Sequence, residues 1–155
     1  MNDLADILTP ESVALGLDVP NKKALFREIV ARAAKVTGCP AESIEAPIKA
    51  RERLASTGYG RGVAIPHAQL DCVGEVHGLF FRLARPIDYG AVDGMPVDCV
   101  FTLLSPSDTG AGHLKALARV SRSFRDERFV AKLRGARSQD ALYALFAQLP
   151  AADAA

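Results

Sequence analysis

The chain has no tryptophan, few aromatics of any kind (6%), three cysteines without a CxxC pair, and almost no net charge, +1 over 155 residues. Most of these shortages exclude something. The near balance of 19 Lys+Arg against 18 Asp+Glu argues against a general nucleic-acid binder, which carries a strong basic excess. No apolar run approaches the ~20 residues of a membrane span. The opening residues, MNDLADILTPES, carry acids where a secretory leader carries bases, and the expected location is cytoplasmic. Cys39, Cys72 and Cys99 are odd in number and widely spaced, which predicts free, mostly buried thiols in a reducing compartment. No C-x₂₋₄-C, H-x₃₋₅-H or HExxH spacing occurs, so neither a metal nor another cofactor is expected. The scarcity of aromatics excludes little, because 49% of the chain is hydrophobic and Leu, Val, Ile and Ala suffice for a core.

What is present reads as one domain, over residues 1–150, with an Ala-rich tail at 151–155 (AADAA). Asn21 precedes KKALFREIVARAAKVTG, in which Leu25, Ile29, Ala33 and Val36 recur at helical spacing and Gly38 supplies a stop. A second helical stretch follows Pro40, and Pro47 is expected to break it or begin a new turn. Glycines 58, 60 and 62 mark a loop feeding a short strand. Val76–Leu83 and VDCVFTLLSP (97–106) are apolar on both parities, as buried strands are, and ARPIDYGAVDGMP between them reads as a loop. A helix follows Gly112, with Leu114, Leu117, Ala118 and Ser121 on one face. Ser138 then caps a last helix that packs Leu142, Leu145, Phe146 and Leu149 inward. Helices around two or three buried strands predict an α/β layered domain with a mixed sheet.

The small net charge averages over unlike regions. Residues 61–111 sum to −3, whereas 112–137 sum to +6. The basic segment is either a solvated helix face or a surface that docks a partner and steers anions.

Three histidines sit in different settings. His67 ends GVAIPH, behind the glycines and directly after Pro66, so its imidazole is carried on a constrained backbone. The glycine spacing is neither a Walker motif nor a dinucleotide fingerprint. His113 follows Gly110-Ala111-Gly112 at a predicted helix start, where free N–H groups favour anions. His77 shares parity with Leu79 and Phe81 and reads as a packed strand residue. With no G-x-S-x-G elbow for a serine nucleophile, histidine itself is left as the nucleophile.

The run RERLASTGYGRGVAIPH (51–67) closely resembles the active-site segment of EIIA domains of the fructose/mannitol class in the phosphoenolpyruvate-dependent phosphotransferase system. LTPESVALGLDVPNKKALFREIV resembles that family's N-terminal region, and RPIDYGAVDGMPVDCVFTLLSPSDTGAGHLKALARVSRSF its second half. The resemblance implies the fructose/mannitol-type EIIA fold and a phosphoryl acceptor. His67 would take the group from an HPr-like phosphocarrier that is fed by enzyme I and phosphoenolpyruvate. His113 would hydrogen-bond the phosphoryl group and orient the nucleophile, Arg51 would bind the group's oxygens, and Ser56 and Thr57 match polar positions at the pocket. The resemblance also implies Nε2 as the phosphorylated nitrogen. A single domain without a transporter appendage looks more like the nitrogen-regulatory branch, whose phosphorylation state controls target proteins such as potassium-transport or kinase components. The alternatives are a sugar-transport EIIA that passes its group to an EIIB cysteine, and a docking module without chemistry. Arg61 and Gln69 depart from the family pattern, moving positive charge from behind His67 to in front of it.

Overall fold

Local chemistry sets the helix boundaries in a computed structural model that describes residues 4–147. Helix α1 spans Lys22–Thr37. The Asn21 side chain accepts from the Ala24 N–H at 2.8 Å, and Gly38 ends the helix at φ +79°. Helix α2, Ala41–Leu54, is continuous through Pro47, contrary to the expected break. Ile44 and Ile48 on either side of the proline are 0% and 1% exposed. Burying each side chain contributes about 1.5–3 kcal/mol, which offsets the ~3 kcal/mol cost of an interior proline.

The strands β1 (Val13–Leu17), β2 (Gly58–Gly60), β3 (Val63–Ala64), β4 (His67–Leu70), β5 (His77–Ile87) and β6 (Val97–Pro106) form one mixed sheet. Its order is β1-β5-β6-β3-β2, and β4 also pairs with β6. β5 and β6 are antiparallel, whereas β1 on β5 and both β3 and β4 on β6 are parallel. β6 has the predicted bounds. β5 runs on to Ile87, into the segment expected to be a loop, by means of a register shift after Arg82. The glycine loop contains a short hairpin, β2–β3, turned at Arg61 and Gly62 with φ +57° and +80°. Arg61 holds this left-handed conformation because Asp93 accepts from its N–H at 2.9 Å and Arg134 donates to its carbonyl at 2.9 Å.

Helices α3 (Gly110–Arg125), α4 (Glu127–Gly135) and α5 (Gln139–Ala147) complete the chain as described. Asp126 divides the basic segment, its carboxylate accepting from the N–H groups of Arg128 and Phe129. Arg119 pairs with Asp6 and Arg134 with Asp98, while Lys115, Arg122 and Arg125 are exposed. The inward face of α3 differs from the expected one. Leu114 is 67% exposed and Ala118 is also exposed, whereas His113, Ala116, Val120, Ser123 and Phe124 point inward. The helix is rotated by about one residue because Phe124 and Val120 bury more apolar surface than Leu114 and Ala118 would. Ser138 caps α5, and Leu142 and Phe146 are fully buried. Leu149, the domain end at 150 and the tail lie outside the described residues.

Each face of the sheet has its own core. α1 and α2 cover one face, with Leu79, Phe81, Val100 and Leu104 beneath them. α3–α5 cover the other. The few aromatics are concentrated there: Phe80, Phe101, Phe124, Phe129 and Phe146 pack with ring centroids 5.1–6.3 Å apart.

The cysteine expectation requires correction. Cys39 and Cys72 are joined as a disulfide, with Cα atoms 5.8 Å apart, and only Cys99 is free and buried. The bridge closes a separation of 33 residues. Constraining a denatured loop of that length is worth about 3–4 kcal/mol in the chain-entropy account.

Gly58 permits a close approach that bears on the site. A Cβ there would lie 2.9 Å from the Ala91 Cα and from the Tyr89 ring. Gly58→Ala is therefore expected to lose about 1–3 kcal/mol, read as a lower midpoint in urea with unchanged slope.

Candidate active site

His67 opens β4 at the point where the chain, having paired with β6 through Val63 and Ala64, resumes that pairing with His67 opposite Leu103. Ile65 and Pro66 bridge the gap. The Thr57 carbonyl accepts from the Ile65 N–H at 2.9 Å and the Pro66 carbonyl from the Leu103 N–H at 3.0 Å. This backbone holds the imidazole, which is 5% exposed.

Two partners determine its tautomer. Nδ1 lies 2.7 Å from the Ile65 carbonyl, which can only accept, so Nδ1 carries the proton. The Arg51 Nε–H, which can only donate, points at Nε2 from 3.2 Å, so Nε2 carries the lone pair. Burial lowers the His67 pKa. The Ile65 hydrogen bond opposes this, and the charge of Arg51 and the neighbouring His113 reinforce it. His67 is thus a neutral imidazole at pH 7 with the lone pair on Nε2. Arg51 is itself anchored, its Nη1 donating to the Ala55 carbonyl at 3.0 Å across the end of α2.

His113, in the first turn of α3, packs against His67 with ring centroids 5.6 Å apart. Its Nδ1 lies 2.9 Å from the hydroxyl of buried Ser105, and its pKa is lowered by burial. The inward rotation of α3 brings this ring to the site. His67, His113 and Arg51 are therefore one cluster, drawn from β4, α3 and α2.

Ser56 and Thr57 are placed differently. The Ser56 hydroxyl accepts from the Gly58 N–H at 3.1 Å. Thr57 is fully buried, and its hydroxyl lies 2.6 Å from Glu52 and 2.8 Å from the Tyr89 hydroxyl. Its hydrogen-bonding capacity is spent on supporting the loop, not on presenting a group to a ligand. Glu52 also accepts from the Thr57 N–H at 3.0 Å and from Lys22 at 2.9 Å. Glu52, Tyr89 and Ser105 are absent from the sequence-derived site. Adjacency to Arg51 marks Glu52 in retrospect, but no local pattern marks the other two. His77 opens β5 and lines a separate cavity of about 770 Å³ with Arg32 and Lys35.

A pH dependence follows from the two lowered histidines. Folded pKa values below the unfolded ~6.5 mean that their contribution to stability is present above pH ~6.5 and is lost as pH falls through the folded values. Protonation also removes the Nε2 lone pair and sets an imidazolium against Arg51. Titration of the histidine ring protons by NMR is expected to give midpoints below 6.5 for His67 and His113, with unfolding easier on the acid side of those midpoints.

The chain matches the family model described as "Phosphoenolpyruvate-dependent sugar phosphotransferase system, EIIA 2" over residues 6–149. It is 45% identical over 148 residues to a nitrogen regulatory protein of Bradyrhizobium diazoefficiens, covering 96% of this chain and 97% of the relative. Identity to the nitrogen regulatory protein of Escherichia coli K12 is 36% over 142 residues, covering 90% and 86%. Among solved structures, IIA-Ntr from Neisseria meningitidis superposes with a TM-score of 0.86 at 31% identity, covering 92% of this chain and 98% of that one. Escherichia coli IIA mannitol shares the fold, with a TM-score of 0.75 at 20% identity over 90% and 98% of the two chains. A buried histidine with one nitrogen held by a carbonyl and the other facing an arginine, on this fold and in this sequence company, has a family: the chain belongs to the EIIA 2 family of the phosphoenolpyruvate-dependent sugar phosphotransferase system, a family of phosphotransferase components, and is similar to its nitrogen regulatory members.

Proposed function

We propose that this chain accepts a phosphoryl group on Nε2 of His67 from an HPr-like phosphocarrier fed by enzyme I and phosphoenolpyruvate, and that it regulates target proteins according to that state. The observation that carries the reading is the pair of hydrogen bonds fixing the His67 tautomer. Nδ1 is committed to the Ile65 carbonyl and Nε2 faces Arg51 as a lone pair.

The step balances without a metal or an external base. The N–P bond of the carrier's phosphohistidine breaks as the Nε2–P bond forms in line, and the carrier imidazole leaves with the electron pair. The Arg51 Nε–H must release Nε2 as attack begins, which turns its guanidinium toward the equatorial phosphoryl oxygens. Positive charge develops on the His67 ring, and the Ile65 carbonyl stabilises the Nδ1–H through it. The second imidazole, His113, contacts the Ser105 hydroxyl through Nδ1; with Nδ1 accepting from that hydroxyl, Nε2 carries the proton and donates to a phosphoryl oxygen. Ser56 and Thr57 act by holding the loop between Arg51 and His67.

The similarity to nitrogen regulatory proteins favours the regulatory branch; to this the reading adds a cytoplasmic location and targets such as potassium-transport or kinase components, as the resemblance implies. Incubation with phosphoenolpyruvate, enzyme I and the carrier is expected to add one phosphoryl group per chain, read by intact mass. A chain that stays unmodified while the carrier is phosphorylated contradicts the reading. Onward transfer to an EIIB cysteine would assign the sugar-transport branch. Target capture that ignores the phosphorylation state would assign a docking module.

A further inference from the structure

We propose that Cys39 and Cys72 form a reversible thiol–disulfide site, reacting with dithiols and with disulfides of the glutathione class, whose state sets how firmly α2 is held to β4. The geometry joins this pair to the candidate active site. Cys39 directly precedes Pro40, the N-cap of α2, and Arg51 lies in that helix's last turn, roughly 15 Å from its start at ~1.5 Å per residue. Cys72 lies in the turn directly after β4, the strand that His67 opens. The helix and the strand thus each have a cysteine beside one end and a residue of the candidate site near the other. The Arg51–His67 hydrogen bond joins them at one end and the disulfide joins them at the other. Between the two ends, Ile44 and Ile48 of α2 share a core with Ala68 and Leu70 of β4. That apolar middle serves as a pivot, so freedom at the cysteine end is transmitted to Arg51.

The two sulfurs differ in access. Cys39 is 4% exposed, whereas Cys72 is exposed in the turn after β4. An incoming thiolate attacks the Cys72 sulfur and forms a mixed disulfide, and Cys39 leaves as a thiolate that takes up a proton. A second thiol releases Cys72, so two thiols of the reductant become one disulfide as one protein disulfide becomes two thiols. The reverse reaction restores the bond from an external disulfide. Cys99 stays outside this chemistry, because burial raises its pKa to about 12 and leaves it 0% exposed. A disulfide in a reducing compartment is characteristically a transient, redox-sensing one, and that part of the inference rests on the cytoplasmic reading above.

The test compares native chain treated with oxidised glutathione or with dithiothreitol, by four readouts, one of them an NMR titration of His67 whose midpoint is expected to differ between the two samples. Alkylation under native conditions is expected to label no cysteine in the first sample and Cys72 first in the second. Amide exchange in the opening turn of α2 is expected to quicken on reduction. Phosphoryl acceptance is expected to be roughly threefold to tenfold slower in the reduced chain, from the loosened Arg51. The double variant Cys39→Ser, Cys72→Ser should behave as reduced chain under both treatments. Equal exchange and equal His67 titration in the two redox states overturns the proposal, as does native labelling of Cys72 in the glutathione-treated chain. Absence of phosphoryl acceptance in both states contradicts the functional reading instead, and exchange and titration then decide the redox proposal alone.

Discussion

Replacing His67 by Ala is expected to abolish phosphoryl acceptance, with no labelled chain after times that saturate the wild type. The reason is that nothing nearby can substitute. His113 keeps its Nδ1 on Ser105, and its ring centroid is 5.6 Å from that of His67. A group delivered in line to Nε2 of His67 therefore does not meet the second ring in line. Thr57 is buried with its hydroxyl already engaged by Glu52 and Tyr89, and no free cysteine besides Cys99 is present in the disulfide-bonded chain. His67→Gln should fail equally, although its amide can occupy much the same space, because an amide nitrogen has no comparable lone pair. The fold should survive either change. The Ala variant removes a mostly buried ring but leaves the β4–β6 ladder intact, so unfolding should remain cooperative.

Arg51→Ala is expected to slow acceptance by roughly 10²–10³-fold, the scale seen when one preorganised donor to a developing oxyanion is removed. Two losses combine. The Nε–H that fixes the His67 tautomer disappears, and so does the guanidinium that meets the phosphoryl oxygens as Nε2 is used. Arg51→Lys should recover little. Lysine restores a charge, but it lacks the fork that binds the Ala55 carbonyl and His67 at once. The rate constant from a rapid-quench time course with excess phosphorylated carrier is the measurement. Arg51→Ala within threefold of wild type would remove this residue from the chemistry.

How much of this was legible in the chain depends on the range of each interaction. The Asn21 and Gly38 boundaries of α1 are local, since each cap is set by residues within one turn, and both are legible in the sequence. β6 is equally legible, because a strand covered on both faces writes its burial into all its residues but Asp98. His67 stood out because Pro66 and the glycines constrain it along the sequence. What depends on long-range contact is not legible there. The phase of α3 turns on which residues meet Phe80 and Phe101 on the sheet face beneath it, so the sequence pattern alone points Leu114 inward. Pro47 is tolerated only because Ile44 and Ile48 are anchored by other elements. The Cys39–Cys72 pairing spans 33 residues and is set by where α2 lies on β4. Glu52, Tyr89 and Ser105 are likewise partners chosen in three dimensions. Thr57 shows the converse: a polar residue in the right motif, whose hydroxyl is turned to the core.

The central claim is that the hydrogen bonds of the resting protein determine which nitrogen of which histidine takes the phosphoryl group. The most direct measurement is ¹⁵N NMR of uniformly labelled chain phosphorylated through the carrier. One-bond ³¹P–¹⁵N coupling is expected at Nε2 of His67 alone, with the Nδ1 proton retained toward Ile65. Coupling at Nδ1, or at either nitrogen of His113, would contradict the account.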